Sequence, residues 1–164
     1  MWSDVQSGVS KGNREIERKY LLRGLPPQTT GATALHIDQG YLPGERINER
    51  VRRTRLDGTV RYYRTIKSGA GVERLEIEEE TDEVFFATVW PLTQSRRIQK
   101  RRYLVPAGKL TWEIDEFLDR SGLWLAEVEL ENTKQRVRVP EWLKPYVDRE
   151  VTDEAAYTNH ALAR

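Results

Sequence analysis

Polar and apolar residues alternate along most of this chain. In "REIERKYLL" (14–22), Glu15, Glu17 and Lys19 fall on one side of an extended strand, and Ile16, Arg18 and Tyr20 fall on the other. Seven further segments read as strands by the same alternation: 36–42, 48–55, 59–67, 72–80, 98–105, 109–117 and 123–131. "LDGT" (56–59) has the chemistry of a tight hairpin turn and "KSGAG" (67–71) that of a looser one, so neighbouring strands are expected to run antiparallel as a meander. The spacing predicts a short helix over 81–93, capped by Thr81 or Asp82 and ended near Pro91. It also predicts a proline-bounded helical turn at 140–146 and an amphipathic helix over 152–163 that starts at a Thr or Asp cap.

The polar faces of these strands are charged. Glu127, Glu129 and Glu131 share one side of the eighth segment, against Trp124, Ala126, Val128 and Leu130. Glu113 and Asp115 oppose Leu110, Trp112 and Ile114, and Glu76, Glu78 and Glu80 oppose Leu75 and Ile77. Arg50 and Arg52 flank Val51, Lys67 follows Ile66, and Lys100 and Arg102 oppose Tyr103 and Val105. An ordinary antiparallel sheet would bury its apolar face and leave such charges in water. Eight strands also suffice to close into a barrel, and helices packed outside would then turn the charged faces inward. The fold expected is therefore mainly β within the α+β class: an eight-stranded antiparallel closed barrel with a charged interior and flanking helices.

Composition narrows the choice. The chain has 164 residues, which is one domain's length, with 1–13 expected as a leader and 14–164 as a single domain. Charged residues reach 32 %, yet the formal net charge is +1, so acids and bases nearly cancel and no nucleic-acid partner is called for. Cysteine is absent, which excludes thiolate chemistry. No apolar run approaches the roughly 18–20 residues of a membrane span, and residues 1–13 lack the apolar centre of a signal peptide. An outer-membrane barrel would also set Arg18, Arg53, Arg64 and Arg101 against lipid, at about 2–4 kcal/mol for each midplane Arg. A cytoplasmic protein without a membrane partner is expected. His36 and His160 form no local metal-ligand pair and read as surface or packing residues, and no Walker-type or dinucleotide loop is present.

The order of charged pieces is distinctive: "EIERKYLL" (15–22), "QGYL" (39–42), "RVR" (50–52), "TIK" (65–67), "EIEEE" (76–80), "KRRY" (100–103), "EIDEF" (113–117), "AEVELE" (126–131) and "VTDEAAYTN" (151–159). In this order they resemble the CYTH superfamily, the triphosphate tunnel metalloenzymes, over nearly the whole chain. The Glu-x-Glu-x-Lys signature at 15–19 is weak alone; nine pieces in sequence are specific.

The resemblance implies an eight-stranded tunnel that hydrolyses inorganic tripolyphosphate to pyrophosphate and orthophosphate, with Mg²⁺ or Mn²⁺, two ions per active site. Carried over residue by residue, it implies Glu15, Glu17, Glu76, Glu127 and Glu129 as metal ligands. Lys19, Arg50, Arg52, Lys67, Lys100 and Arg102 would grip phosphate oxygens, and Lys19, Glu78 and Asp115 would serve catalysis, Asp115 by orienting water. A dense polyanion calls for several fixed cations at once, and hard divalent ions call for oxygen ligands. The same scaffold hosts thiamine-triphosphatases, nucleoside-triphosphatases and class IV adenylyl cyclases, and a non-catalytic polyphosphate- or nucleotide-binding module is the alternative of another class. The partner expected is a small polyanion, bound by a monomer or homodimer. One departure stands out: longer relatives place a lysine in the C-terminal helix near the tunnel mouth, where "TDEAAYTNHALA" has none, which leaves Arg149 or Arg164 as substitutes.

Overall fold

The computed structural model describes residues 14–45, 47–68 and 73–163; the expected leader, most of the joint at 67–71 and Arg164 lie outside them. Nine strands form one antiparallel sheet: β1 (Arg14–Leu22), β2 (Thr33–Tyr41), β3 (Asn48–Leu56), β4 (Thr59–Ser68), β5 (Glu73–Thr81), β6 (Arg97–Ala107), β7 (Leu110–Phe117), β8 (Trp124–Glu129) and β9 (Val147–Glu150). Their order is β5-β4-β3-β2-β6-β7-β8-β1-β9. Eight of them match the segments read from alternation, and β9 is an addition to the eight expected. It pairs with β1 at Tyr20–Leu22, and the first residues of β1, 14–16, pair with β5. The same edge of β1 is thus shared by two partners, while its other edge runs along β8 from Glu17 to Leu22.

Local chemistry explains the joints. Asp57 and Gly58 between β3 and β4 both adopt positive φ, 48° and 79°, as a two-residue hairpin turn that matches strand twist requires. Gly40 in β2 admits a close approach, because a Cβ there would lie 2.5 Å from the Thr93 hydroxyl. Helix α1 (Glu83–Val89) starts where Asp82 accepts a hydrogen bond from the Phe85 amide, and it runs into a 3-10 turn at Trp90–Thr93 that contains Pro91. Its Phe86 packs on Tyr62 and Trp90 outside the sheet.

The expected helix over 152–163 is corrected by the structure to a 3-10 turn at Ala155–Tyr157 and a single helical turn, α2 (Asn159–Leu162), capped by Thr158. Thr152 does not serve as the cap because its hydroxyl is taken by the Lys19 amide at 3.0 Å, while the Val151 amide donates to the Lys19 carbonyl at 2.8 Å. The segment is bound to β1 before it can coil. Among the described residues no helix is long and apolar enough to cross a membrane.

Two apolar clusters hold the sheet. Tyr20, Leu22, Val105, Trp112, Ile114, Ala126, Val128 and Leu130 form the first, on the outer faces of β1, β6, β7 and β8, with Leu143 packed over them. The second uses the opposite face of the same strands: Ile98, Phe117 and Leu125 meet Tyr41, Val151, Leu162 and Ala163. The face carrying the charges is therefore apolar at the end where the C-terminal segment packs, and this confines the charged region to the length beyond it.

Candidate active site

Alternation places Glu15, Glu17 and Lys19 of β1 on the same face as Arg50 and Arg52 of β3, Lys67 of β4, Glu76 and Glu78 of β5, Arg102 of β6, Glu113 of β7 and Glu127 and Glu129 of β8. Except for Lys19, all of these line one cavity of about 200 Å³, together with Tyr41, Asn48, Thr158, Asn159 and His160. Seven carboxylates thus face four cationic side chains among the described residues that line it.

The charges form connected ion pairs. Lys67 Nζ is 2.8 Å from Glu15 and 3.7 Å from Glu76. Arg50 lies 3.2 Å from Glu78 and donates to Thr65, whose hydroxyl donates in turn to Glu78 at 2.9 Å. Arg52 Nε donates to Gln39 at 3.0 Å. Arg102 meets three acids, Asp115 at 2.7 Å, Glu113 at 2.8 Å and Glu127 at 3.4 Å. Such pairing accounts for buried charge, but not for the excess of acids.

That excess shows in the protonation equilibria. Burial pushes Glu76 up to about 7, against the attraction of Lys67 and with the help of repulsion from Glu15. Partial burial together with Glu113 and Glu15 raises Glu129. Burial would also raise Glu127, yet Lys19, Arg102, Lys100 and Lys67 outweigh it and hold that carboxyl well below the usual range. Burial, reinforced by Arg50 and Arg102, lowers Arg52 to about 10.

The Glu76 shift predicts how stability responds to pH. Its folded value of about 7 exceeds the ordinary 4.5, so the fold retains a proton that the unfolded chain releases. Its contribution is complete below about 4.5 and is lost as pH rises through about 7. Glu76→Gln should accordingly unfold at higher urea than wild type at pH 8, with the difference shrinking toward pH 5. Urea titrations of the metal-free proteins across that range check it; a pH-independent difference would contradict the shift.

Not every expected residue lines the cavity. Lys100 and Asp115 are fully buried behind it as a 2.7 Å pair, with Arg102 forked onto the same carboxylate. Burial, reinforced by Arg102, drives Lys100 down to about 7, while Arg102 and Lys100 overcome the effect of burial on Asp115 and lower it. Lys19 is buried beside Glu127 at 3.2 Å, and its ammonium donates to the Tyr157 carbonyl at 3.1 Å. Arg149 pairs with Glu154 at 2.9 Å and does not line the cavity, and Arg164 is outside the described residues. In the place expected for a lysine the C-terminal segment instead presents Thr158, Asn159 and His160, the last edge-on to Tyr41 at 5.1 Å. Asn159 also accepts from Lys100 at 3.3 Å. Sequence reasoning assigned no site role to these three, to Tyr41 or to Asn48, and it placed Glu113 on a charged strand face without a role in the site. The alternation was a sufficient signal for Tyr41 and Glu113, which share the charged face; Thr158 and Asn159 end the piece "VTDEAAYTN" that helps carry the resemblance, and no local pattern marks His160.

The donor set suits a hard divalent cation. Glu17 and Glu129 stand directly opposite across β1 and β8, an arrangement that repels unless a cation lies between them. Glu127 Oε1 is buried and makes no hydrogen bond, although Lys19 Nζ is near it. Among the described residues no three acids converge tightly enough to hold an ion, since Lys67 and Arg102 draw Glu15, Glu113 and Glu127 to themselves. Arg50 Nε is likewise buried without a hydrogen-bond acceptor.

No family model matches the chain. It is 39 % identical over 156 residues to an inorganic triphosphatase of Nitrosomonas europaea, covering 91 % of this chain and 96 % of that protein. It is 29 % identical to an inorganic triphosphatase of Acetivibrio thermocellus, across 92 % of this chain and 94 % of that one. Among solved structures, the crystal structure of the inorganic triphosphatase NE1496 superposes with a TM-score of 0.63 at 34 % identity, covering 91 % of this chain and 93 % of that chain.

Proposed function

The chain belongs to the inorganic triphosphatases of the CYTH superfamily, and from that premise we propose that its charged cavity hydrolyses tripolyphosphate to pyrophosphate and orthophosphate with the help of divalent metal. The observation that carries this reading is the mixture of four cations and seven carboxylates around one cavity. A nucleic-acid or acidic-peptide site would show cations in excess; a calcium-storage site would show acids alone. Only a polyanion that arrives with metal satisfies both sets.

Arg50, Arg52, Lys67 and Arg102 would bind phosphate oxygens, the arginines through forked donors. Glu15, Glu17, Glu76, Glu127 and Glu129 would hold Mg²⁺ or Mn²⁺, which when bound supplies charge neutralisation and polarises the phosphoryl oxygens. Lys67 then exchanges its carboxylate partners for phosphate, and so does Arg102 in part. Lys19, Lys100 and Asp115 act from behind the wall: Lys19 holds Glu127 in its charged form, and Asp115 holds Arg102 in the orientation that meets substrate. Glu78, which lines the cavity beside Arg50, is the acid proposed to accept a proton from attacking water. The reading extends to closure: with β1 in register with β5 at 14–16, the strands would surround the substrate as a tunnel.

The test is a turnover panel by phosphate release. Efficiency is expected to fall from tripolyphosphate to ATP to pyrophosphate, with the first gap at least about tenfold, equal to about 1.4 kcal/mol in transition-state binding. Pyrophosphate spans fewer of the cations, so its scissile bond is less firmly aligned. ATP turnover equal to that of tripolyphosphate, or cyclic AMP formation, would move the assignment to a nucleotide-directed enzyme on the same scaffold. Binding without turnover would make the protein a polyanion-binding module.

A further inference from the structure

A second, larger cavity of about 610 Å³ adjoins the charged one and shares Arg52, Glu78, Arg102 and Glu113 with it. Its character is different. Leu35 and Ile37 of β2, Leu56 of β3 and Leu104 of β6 line it, with Tyr63 of β4. These follow the cations in the same inward alternation: Leu104 is the next inward residue after Arg102, and Thr54 and Leu56 come next after Arg52. Along β3 and β6 the charged region therefore ends and an aliphatic one begins within one or two inward positions, and β2 between them carries Ile37 and Leu35 on the same face.

From this we infer that Leu35, Ile37, Leu56 and Leu104 form a collar that ends the phosphate track, so that the site accepts three linked phosphates and rejects a fourth. The inference rests on the triphosphatase reading and adds what sets its chain length. On the side formed by β2, β3 and β6, a fourth phosphate reaching past Arg52 and Arg102 would exchange its water for aliphatic side chains that offer neither donor nor charge. Of the cations that border the collar, Arg52 and Arg102 are those that take the three linked phosphates, which leaves Arg61, and Asp57, Glu78 and Glu113 line the same cavity. Arg102 is already held by three acids, and Arg61 is bonded to Tyr63 close to Glu80 at the open rim. Sliding the chain the other way meets Thr158, Asn159 and His160, which border the charged cavity opposite the collar. Length is thereby limited from both ends.

The experiment compares kcat/KM for tripolyphosphate and tetrapolyphosphate in wild type, Leu104→Lys and Leu56→Lys, with saturating Mg²⁺ and with urea unfolding of each protein as a control for folding. Leu56 is half-buried beside the exposed hairpin turn, so its variant remains informative if Leu104→Lys does not fold. Wild type should favour tripolyphosphate by at least about tenfold, and a folded lysine variant should shrink that ratio by about fivefold or more. Equal use of both substrates by wild type would overturn the collar while leaving the activity intact, and so would an unchanged ratio in a folded lysine variant. If wild type hydrolyses neither, the triphosphatase reading itself fails and the collar falls with it.

Discussion

Glu127→Gln and Glu129→Gln, two substitutions on the same face of β8, should fail in different ways. The first should unfold the protein more easily. Glu127 is buried between Lys19 at 3.2 Å and Arg102 at 3.4 Å, and its neutralisation removes an acid that two buried cations share. Removing one partner of a buried pair typically costs about 3–5 kcal/mol. Among the described residues Glu129 is in no comparable buried ion pair. It lines the cavity opposite Glu17, where partial burial and then Glu113 and Glu15 raise its pKa, so Glu129→Gln removes a disfavoured charge and should leave stability equal or higher. Its cost falls on catalysis, because a carboxylate kept in a repulsive position has to be held there for a cation. We expect at least about a hundredfold loss in kcat/KM for tripolyphosphate, equal to about 2.7 kcal/mol. Urea titration and phosphate release on both variants separate the two effects. A near-normal rate in Glu129→Gln would remove that residue from the site, and undiminished stability in Glu127→Gln would show that the buried pair contributes nothing net.

Removal of divalent metal should abolish turnover altogether. Among the described residues that line the cavity acids outnumber cations, seven to four, before the substrate arrives, and tripolyphosphate adds further negative charge. Mg²⁺ or Mn²⁺ should restore activity to the chelated protein. Ca²⁺ should not restore it and should compete, since it takes about 6–8 oxygens at longer range and would not hold so small a cavity in compact geometry. A second readout does not depend on chemistry: a cation that binds only the folded protein raises its stability by about 2.7 kcal/mol at a hundredfold excess over Kd. The resulting rise in melting temperature with Mg²⁺ should shrink in Glu129→Gln. Full turnover after exhaustive chelation would contradict the metal requirement.

Much of the candidate site was legible in the residues because a strand's period of two is local. Glu127 and Glu129 had to share a face with each other and oppose Val128, whatever the rest of the chain did, and so did Arg50 and Arg52 around Val51. The β3–β4 hairpin was legible for the same reason, since Asp57 and Gly58 set their own backbone. What alternation could not say is which inward positions would be charged wall and which would be support. Glu129 and Asp115 have the same sequence character, yet the first is open to the cavity and the second is sealed behind it with Lys100, because depth depends on where β6 and β7 sit relative to the C-terminal segment.

That segment marks the boundary most clearly. By sequence alone, "TDEAAYTNHALA" is an amphipathic helix with a good cap, and local propensity gives no reason to stop it. The helix is reduced to one turn because the Lys19 backbone, more than 130 residues away, takes the hydrogen bonds of Val151 and Thr152. The sequence by itself determined the strands, their faces and the charge each face carries, since these follow from neighbours along the chain. Only the tertiary structure decided that β9 would share an edge of β1 with β5, that Asn159 and His160 would border the cavity, and that aliphatic side chains would border its other end. Those outcomes depend on contacts between residues remote in sequence, whose free energies no local pattern records.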